Sequence, residues 1–200
     1  MNAAPVVTGA PVAPGRGTAE LCAVADLSDG ANELLASSGG NPPPRAFIMS
    51  LVERELFADA VRFIAHALPR REAVWWAWVC ARKSAGAAPA PGVSAALEAT
   101  ERWIIQPTED NRRAAMRCAE AVTFGTPAGA AALSAFLTGG SLAPPSSSAV
   151  PPGEFMTAKA VSGSVTLAAV MTEPQRAAEK FHEFVMLGLE VAGRTKLWAA

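Results

Sequence analysis

A tryptophan-rich segment, residues 67–83, constrains the fold of this chain more than any other part of it. Its sequence is ALPRREAVWWAWVCARK, and it holds three of the five tryptophans within four positions. At 100° per residue, Trp75 and Trp78 lie on one face of a helix and Trp76 lies on another, so the middle of the helix is apolar almost all round. Helices of this kind are covered by neighbours on more than one side. The segment therefore predicts a buried helix over 69–83, at the centre of an all-helical domain.

The start of this helix carries opposing electrostatic signals. Pro69 suits the first helical position, and the carboxylate of Glu72 suits the positive end of the helix dipole. Arg70 and Arg71 oppose that dipole, by about 0.3–1 kcal/mol each at an exposed site. Two explanations fit the arginines. They are a solvated pair offset by neighbouring carboxylates, or they bind an anion or a partner at the mouth of the helix.

The rest of the chain also shows helical patterns, separated by segments rich in proline and glycine, and no strand-like alternation. Thr108 and Thr126 are expected N-caps, and Thr172 with Gln175 is expected to form a capping box. The predicted helices cover residues 18–26, 29–37, 45–68 as one bent helix or two, 93–106, 109–124, 127–137, 156–171 and a last one opened by the capping box. The sequence thus predicts an all-α fold of about eight or nine helices, an irregular bundle or short solenoid-like stack around the tryptophan helix.

Composition divides the chain into a proline-rich start and one helical domain. Residues 1–17 have no hydrophobic periodicity and are expected to be disordered or extended. Residues 18–195 are expected to form a single domain, since 200 residues that are half hydrophobic are enough to bury a core. Residues 84–92 and 139–153 have linker composition, and the second linker is expected to be mobile or strapped across the helices.

Charge, hydropathy and cysteine usage exclude several functional classes. A net charge of −1 leaves no basic surplus for phosphate contacts, which argues against nucleic-acid binding. The N-terminal residues do not read as a signal peptide, and no apolar run reaches the ~18 residues of a membrane span. The three widely spaced cysteines indicate reduced thiols, so we expect a cytoplasmic protein.

Patterns typical of metal sites, cofactor sites and catalysis are missing. The two histidines and three cysteines lie one to a predicted helix, without the spacing of a zinc site. Neither a dinucleotide-binding fingerprint nor a Walker A sequence occurs, so no cofactor is expected. No nucleophile with a neighbouring base stands out. We therefore name no catalytic residue, and the pattern favours a non-enzymatic role.

Three further polar residues are candidates for binding. His66 lies on the polar flank of its helix beside Asp59 and Arg62, as a surface histidine does, although an acid–base role fits the same position. Asn111 and Arg112 project toward the apolar side of their helix near its start. They form a buried pair, contact a ligand, or donate structural hydrogen bonds to a neighbouring loop.

Several short sequences, taken as a set, resemble an uncharacterised family of small all-helical bacterial proteins. These are NPPPRAF at 41–47, FADAVRF at 57–63, HALPRREAVWWA at 66–77, NRRAAM at 111–116, FGTPAG at 124–129, GGSLAPP at 139–145 and TAKAV at 157–161. The resemblance covers about residues 20–195. We associate this family with gene neighbourhoods of the type VI secretion system. It implies a cytoplasmic accessory, adaptor or chaperone for a secreted tip or effector protein, and it supplies no catalytic residues.

Non-enzymatic protein binding is the leading functional hypothesis, because tryptophan and arginine are enriched at binding hot spots. The expected surface is a groove at the start of the tryptophan helix. Its candidate residues are His66, Arg70, Arg71, Glu72, Trp76, Asn111 and Arg112. The alternative is an enzyme or a binding protein for a small anionic ligand, with the histidine and arginines in one closed pocket. A third possibility is self-association into a homo-oligomer through the tryptophan-rich surface.

Overall fold

The chain is all-α over residues 16–198, the part that the computed structural model describes. In that range it forms ten α-helices and one 3-10 turn, without strands. In chain order they are α1 Thr18–Val24, α2 Asp29–Ser37, α3 Pro44–Glu53, α4 Phe57–Ala67, α5 Arg70–Ala85, α6 Pro91–Ile105, α7 Glu109–Val122, α8 Pro127–Phe136, α9 Met156–Val170, the 3-10 turn Pro174–Arg176 and α10 Ala177–Arg194. The all-α prediction is therefore confirmed.

The expected segment 1–17 lies outside the described residues, apart from Arg16 and Gly17. The helical pattern over 45–68 divides into α3 and α4, because Glu55 adopts a left-handed conformation with φ of 56°. Two backbone bonds, from Glu55 N to Val52 O and from Leu56 N to Leu51 O, close a Schellman motif there. A left-handed residue at a helix end is usually glycine, and here it is a glutamate. The sequence therefore did not decide between one bent helix and two.

The centre of the fold is shared between α5, the tryptophan helix, and α8. Eight of the ten residues of α8 are buried, against seven of the sixteen residues of α5. Half of the residues of helix α8 are alanines, and the helix packs against α5, α6, α7 and α9. Small side chains let helix axes approach closely, so an alanine-rich helix can accept neighbours on every side. The tryptophans of α5 are directed to other neighbours: Trp76 donates to Phe184 O of α10 and Trp78 to Leu97 O of α6.

Helix starts follow the sequence at two threonines and depart from it near residue 172. Thr108 accepts a hydrogen bond from Asn111 N, and Thr126 accepts one from Gly129 N, as expected of N-caps. The predicted capping box of Thr172 and Gln175 is wrong. Glu173 adopts a left-handed conformation and a 3-10 turn follows it, so α10 begins only at residue 177 without a side-chain cap.

Gly129 lies in the first turn of α8, where the backbone of the preceding turn comes so close that a side chain does not fit. A Cβ atom there would lie 2.0 Å from the carbonyl oxygen of Thr123. Gly129→Ala should lower the free energy of unfolding by about 1–3 kcal/mol, because the turn before α8 must move to make room. Urea denaturation followed by circular dichroism measures this loss. Gly163→Ala is the matched control in α9, where an added Cβ meets no atom within 4 Å. An equal loss in both variants would contradict the steric explanation.

None of the helices in the described residues combines the length and apolar character of a membrane-crossing segment.

Candidate functional site

The arginines at the start of α5 bind the carboxyl ends of other helices. Arg71 donates from Nε to Ile104 O at 2.7 Å and from Nη2 to Ile105 O at 3.3 Å, at the last two residues of α6. Arg70 donates to Thr138 O at 2.6 Å, just beyond the end of α8. Both cations therefore oppose the dipole of their own helix while they complement the negative ends of α6 and α8. This accounts for the pair through contacts within the chain.

Asn111 and Arg112 donate structural hydrogen bonds, the last of the three roles that the sequence left open. Asn111 Nδ2 donates to Gln106 O at 2.8 Å and so holds the turn between α6 and α7. Arg112 is only 4% exposed and donates to Phe136 O at 2.5 Å and to Ser141 O at 2.9 Å. Its guanidinium also lies 4.3 Å from the centroid of the Phe136 ring. Arg112 thus caps the end of α8 from inside the fold.

The second linker, 139–153, lies across the helices, and arginine side chains hold it there. Arg113 donates to Ala143 O at 3.1 Å and Arg112 donates to Ser141 O at 2.9 Å, while Arg70 reaches Glu154 O, just beyond the segment, at 3.4 Å. Within the strap, Leu142 N donates to Val150 O at 2.8 Å. Cationic side chains from α5 and α7 therefore replace the apolar contacts that this segment cannot make itself.

The expectation that Trp76 lies on the rim of an open groove is wrong. Its side chain is 0% exposed, and its indole N–H donates to Phe184 O of α10 at 2.9 Å. Helices α9 and α10 pack against α5, and the indole lies beside Gly188 of α10 together with Ile64 of α4. The helical periodicity correctly placed Trp76 on a different face of α5 from Trp75 and Trp78. Packing against α10, which lies far along the chain, buries that face.

The seven predicted residues do not converge on one site. His66 and Arg70 line one cavity, while Arg71 and Glu72 border a separate depression. Asn111 and Arg112 lie on α7 and line neither of them. The closed pocket of His66, Arg70 and Arg112 that would favour an enzyme or a sensor is therefore not formed, because Arg112 lies away from the other two.

The cavity beside His66 has a volume of about 190 Å³. His66 Nδ1 lies 2.8 Å from Arg62 O, and its ring packs against Phe155 at 5.6 Å between centroids. Burial is the largest cause that lowers the pKa of His66, and the charges of Lys159, Arg16 and Arg62 lower it further. A carbonyl oxygen only accepts, so Nδ1 carries the proton. The sequence missed Arg16 and Phe155, which lie far from His66 along the chain.

A second surface feature combines the start of α5 with the end of α6. Arg71, Glu72, Trp75 and Ile104 line a depression of about 140 Å³. Ile105, directly beside it, is 70% exposed, the largest exposure among the described large hydrophobic residues. We call these five residues the Trp75–Ile105 patch. The sequence predicted a binding surface at this end of α5 but named Trp76, the neighbouring tryptophan, for it.

The thiols show no sign of activation. Burial raises the pKa of Cys22 to about 11, and it also raises the pKa of Cys80 well above its ordinary value. Both side chains are buried, so they stay protonated and behave as small apolar residues. Among residues 16–198, no three His, Cys, Asp or Glu side chains gather closely enough to hold a metal ion.

Comparison with protein families gives a match over residues 47–192 to DUF6931, a family of unknown function. The chain belongs to this family. Comparison with curated proteins and with solved structures gives no match. The DUF6931 region begins inside α3 and ends inside α10, so it contains α5, α8 and every predicted site residue. Arg16, which reaches the His66 cavity, lies before it.

Proposed function

We propose that this DUF6931 protein is a non-enzymatic accessory that binds another protein through the Trp75–Ile105 patch. One observation carries the proposal: Ile105 projects into solvent with 70% of its surface exposed, beside Trp75, Ile104 and a guanidinium. Exposed apolar clusters rimmed by polar groups are typical of protein interaction sites. Trp and Arg are also the side chains most enriched at binding hot spots.

The positions of the charged groups support this surface. Arg71 is held against the end of α6 by two hydrogen bonds, and Arg194 lies 5.9 Å from the centroid of the Trp75 ring. Arg71 is therefore already ordered beside the apolar side chains, so a partner that contacts it loses little side-chain entropy. The centre of the patch stays apolar, while its edge carries the guanidinium groups of Arg71 and Arg194 and the carboxylate of Glu72.

The partner that we propose is a secreted tip or effector protein of a bacterial type VI secretion system. This rests on the resemblance in the sequence to a bacterial family associated with that system. An adaptor or chaperone for such a protein acts before secretion, in the cytoplasm. The free thiols of Cys22, Cys80 and Cys118 are compatible with that reducing compartment.

The charge-introducing variant Ile105→Asp tests the patch. We expect it to weaken capture of the partner at least tenfold, because a carboxylate must then be desolvated in an apolar contact. The measurement is affinity purification from the native host, with quantitative mass spectrometry of the proteins that co-purify with wild type and variant. Secretion-system tip or effector proteins should be captured by wild type and lost from Ile105→Asp.

Met171→Asp is the matched control. Met171 is 52% exposed and also lies at the end of a helix, so an aspartate costs similar dipole energy at both positions. Met171→Asp should capture the same proteins as wild type. Equal capture by Ile105→Asp would remove the patch from the proposal. Light scattering over a dilution series distinguishes binding of another protein from self-association. A homo-oligomer that uses the patch would dissociate in Ile105→Asp and persist in Met171→Asp.

A further inference from the structure

A second depression lies beside the Trp75–Ile105 patch, along the same two helices. Its volume is about 460 Å³, against about 140 Å³ for the depression beside Trp75. It lies between the end of α5 and the start of α6, and the loop that joins these helices borders it through Gly86 and Pro89. Its helical lining includes Trp78, Arg82, Ala85, Leu97, Glu98 and Glu101. The proposed function leaves this larger depression without a role.

Helical spacing joins the two depressions into one groove. The α5 side chains that line one or the other are Arg71, Trp75, Trp78, Arg82 and Ala85, and those of α6 include Leu97, Glu101 and Ile104. Each set advances in steps of three or four residues, which keeps its members on one face of a helix. The fourteen steps from the first to the last α5 residue give a groove about 21 Å long, at 1.5 Å per residue.

The floor of this groove is apolar. Trp75 and Ile104 are half-buried, and Trp78 and Leu97 are each 8% exposed. The indole N–H of Trp78 donates to Leu97 O at 3.0 Å, so one hydrogen bond fixes the floor across both helices. Amphipathic helices bind in grooves of this kind, with apolar side chains at i, i+3 or i+4, and i+7 laid against the floor. A length of about 21 Å matches a partner helix of about four turns.

The end of the groove beside Ile105 is cationic on balance. Arg71 and Glu72 line it, and Arg194 lies 5.9 Å from the centroid of the Trp75 ring. This end therefore carries two positive charges and one negative charge. Carboxylates of a partner are the groups that complement it.

The opposite end of the groove is anionic on balance. Glu98, Glu101 and Arg82 line it, which gives two negative charges and one positive charge. The Arg82 guanidinium lies 5.2 Å from the centroid of the Trp78 ring, so the aromatic floor already carries a cation here. Basic side chains of a partner complement this end, and they find both carboxylates and an aromatic face.

We propose that the groove between α5 and α6 binds an amphipathic α-helix of the partner, with acidic residues toward Arg71 and Arg194 and basic residues toward Glu98 and Glu101. This inference rests on the proposed function, because it extends the Trp75–Ile105 patch and identifies what the partner presents to it. The apolar stripe of the partner helix covers the floor, and its charges are segregated between its two ends. A helix with one sign of charge throughout is repelled at one end of the groove.

The probe is a phage-displayed library of random peptides of about 18 residues, four turns of helix with short ends. Peptides are selected on the full chain and counter-selected on Ile105→Asp, which keeps those that contact the patch. The retained peptides should have apolar residues at helical spacing, carboxylates toward one end, and lysine or arginine toward the other. Retained peptides without helical spacing or without charge segregation would overturn the proposal, as would a selection that retains none.

Glu98→Lys tests the far end of the groove with one retained peptide made synthetically. Isothermal titration calorimetry should show a dissociation constant about tenfold higher than for wild type, because a like charge then faces the basic end of the peptide. Glu33→Lys is the matched control: Glu33 is also exposed, and it lies on α2, which packs against α3. Its dissociation constant should stay within about twofold of wild type. Equal weakening in both variants, or none in Glu98→Lys, would reject the groove.

Nuclear magnetic resonance measures how much of the groove the peptide covers. The indole N–H resonances of both Trp75 and Trp78 should shift on addition of the peptide, and a shift of Trp75 alone would confine the contact to the patch. A wild-type homo-oligomer that Glu98→Lys dissociates would assign the groove to a second copy of the chain. Partner capture that depends on Ile105, together with retained peptides that are not helical, would reject this inference and keep the proposed function. Unchanged capture by Ile105→Asp would reject the proposed function instead.

Discussion

Replacing Trp76 by alanine is expected to lower the free energy of unfolding by about 3–5 kcal/mol, the range for deletion of a buried aromatic side chain. Trp76 is 0% exposed, and its N–H donates to Phe184 O at 2.9 Å. The substitution therefore leaves a cavity in the core and removes this hydrogen bond between α5 and α10. Urea denaturation followed by far-ultraviolet circular dichroism measures the change without relying on tryptophan emission. Trp75→Ala, at the half-buried neighbour, should cost clearly less.

Gly188 provides a second test of the same packing. A Cβ at this position of α10 would lie 3.0 Å from the indole of Trp76 and 3.0 Å from Ile64 Cγ2. Gly188→Ala should therefore destabilise the wild type, although alanine favours helix by about 1 kcal/mol over glycine. In a Trp76→Leu background part of the clash disappears, so Gly188→Ala should cost less there. Additive losses in this double-mutant cycle would contradict the direct contact.

The sequence determined the secondary structure of this chain more firmly than its packing. The two threonine caps and the all-α class follow from local signals, which act within one turn of helix. Trp75 and Trp76 are adjacent and equally apolar, and nothing local states which face α10 will cover. That choice depends on a hydrogen bond across 108 residues, from Trp76 to Phe184. The sequence therefore assigned to the rim of a groove a tryptophan that the structure buries completely, while the adjacent Trp75 stays half-buried.

Arg70 and Arg71 show the same difference between what local sequence signals reveal and what long-range contacts decide. Charge against a helix dipole marks Arg70 and Arg71 as unusual from sequence alone. The sequence offered two explanations, a solvated pair offset by neighbouring carboxylates or a site for an external anion or partner. The structure gives them the carboxyl ends of α6 and α8, which lie 33 and 68 residues further along the chain. Local reasoning found the anomaly and missed its cause. His66 is similar, since Arg16 reaches its cavity from a segment with no helical pattern.

Replacing Arg112 by methionine is the second large effect, expected to lower the free energy of unfolding by about 2–4 kcal/mol. Methionine keeps the length and apolar stem of the side chain, but the carbonyl oxygens of Phe136 and Ser141 lose their donor. Unpaired buried acceptors cost about 1–3 kcal/mol each. Arg112→Lys should restore only part of the loss, because an ammonium cannot reproduce the planar fork.

Arg113→Met is the matched control, on the same helix and with the same carboxylate partner. The Arg113 side chain is 21% exposed against 4% for Arg112, and both bind Glu109 at 2.6 Å. Arg113→Met also removes the donor of Ala143 O, but this acceptor lies in the partly exposed strap, where water replaces the donor, so we expect a loss of about 1 kcal/mol or less. Equal losses in the two variants would mean that the contacts shared by both arginines, to Glu109 and to the strap, carry the stability rather than the bond from Arg112 to the end of α8.

The pH dependence of unfolding gives Arg112 a separate signature. The hydrogen bond from Arg112 is the largest cause that holds the pKa of Glu109 below its ordinary value. A lowered pKa stabilises the fold above the unfolded-state value, and this contribution is lost as the pH falls through the folded-state value. The wild type should lose this stability below about pH 4.3, the ordinary pKa of glutamate. In Arg112→Met the acid-side slope should be shallower than in wild type, and an unchanged slope would show that Arg113 alone sets the charge state of Glu109.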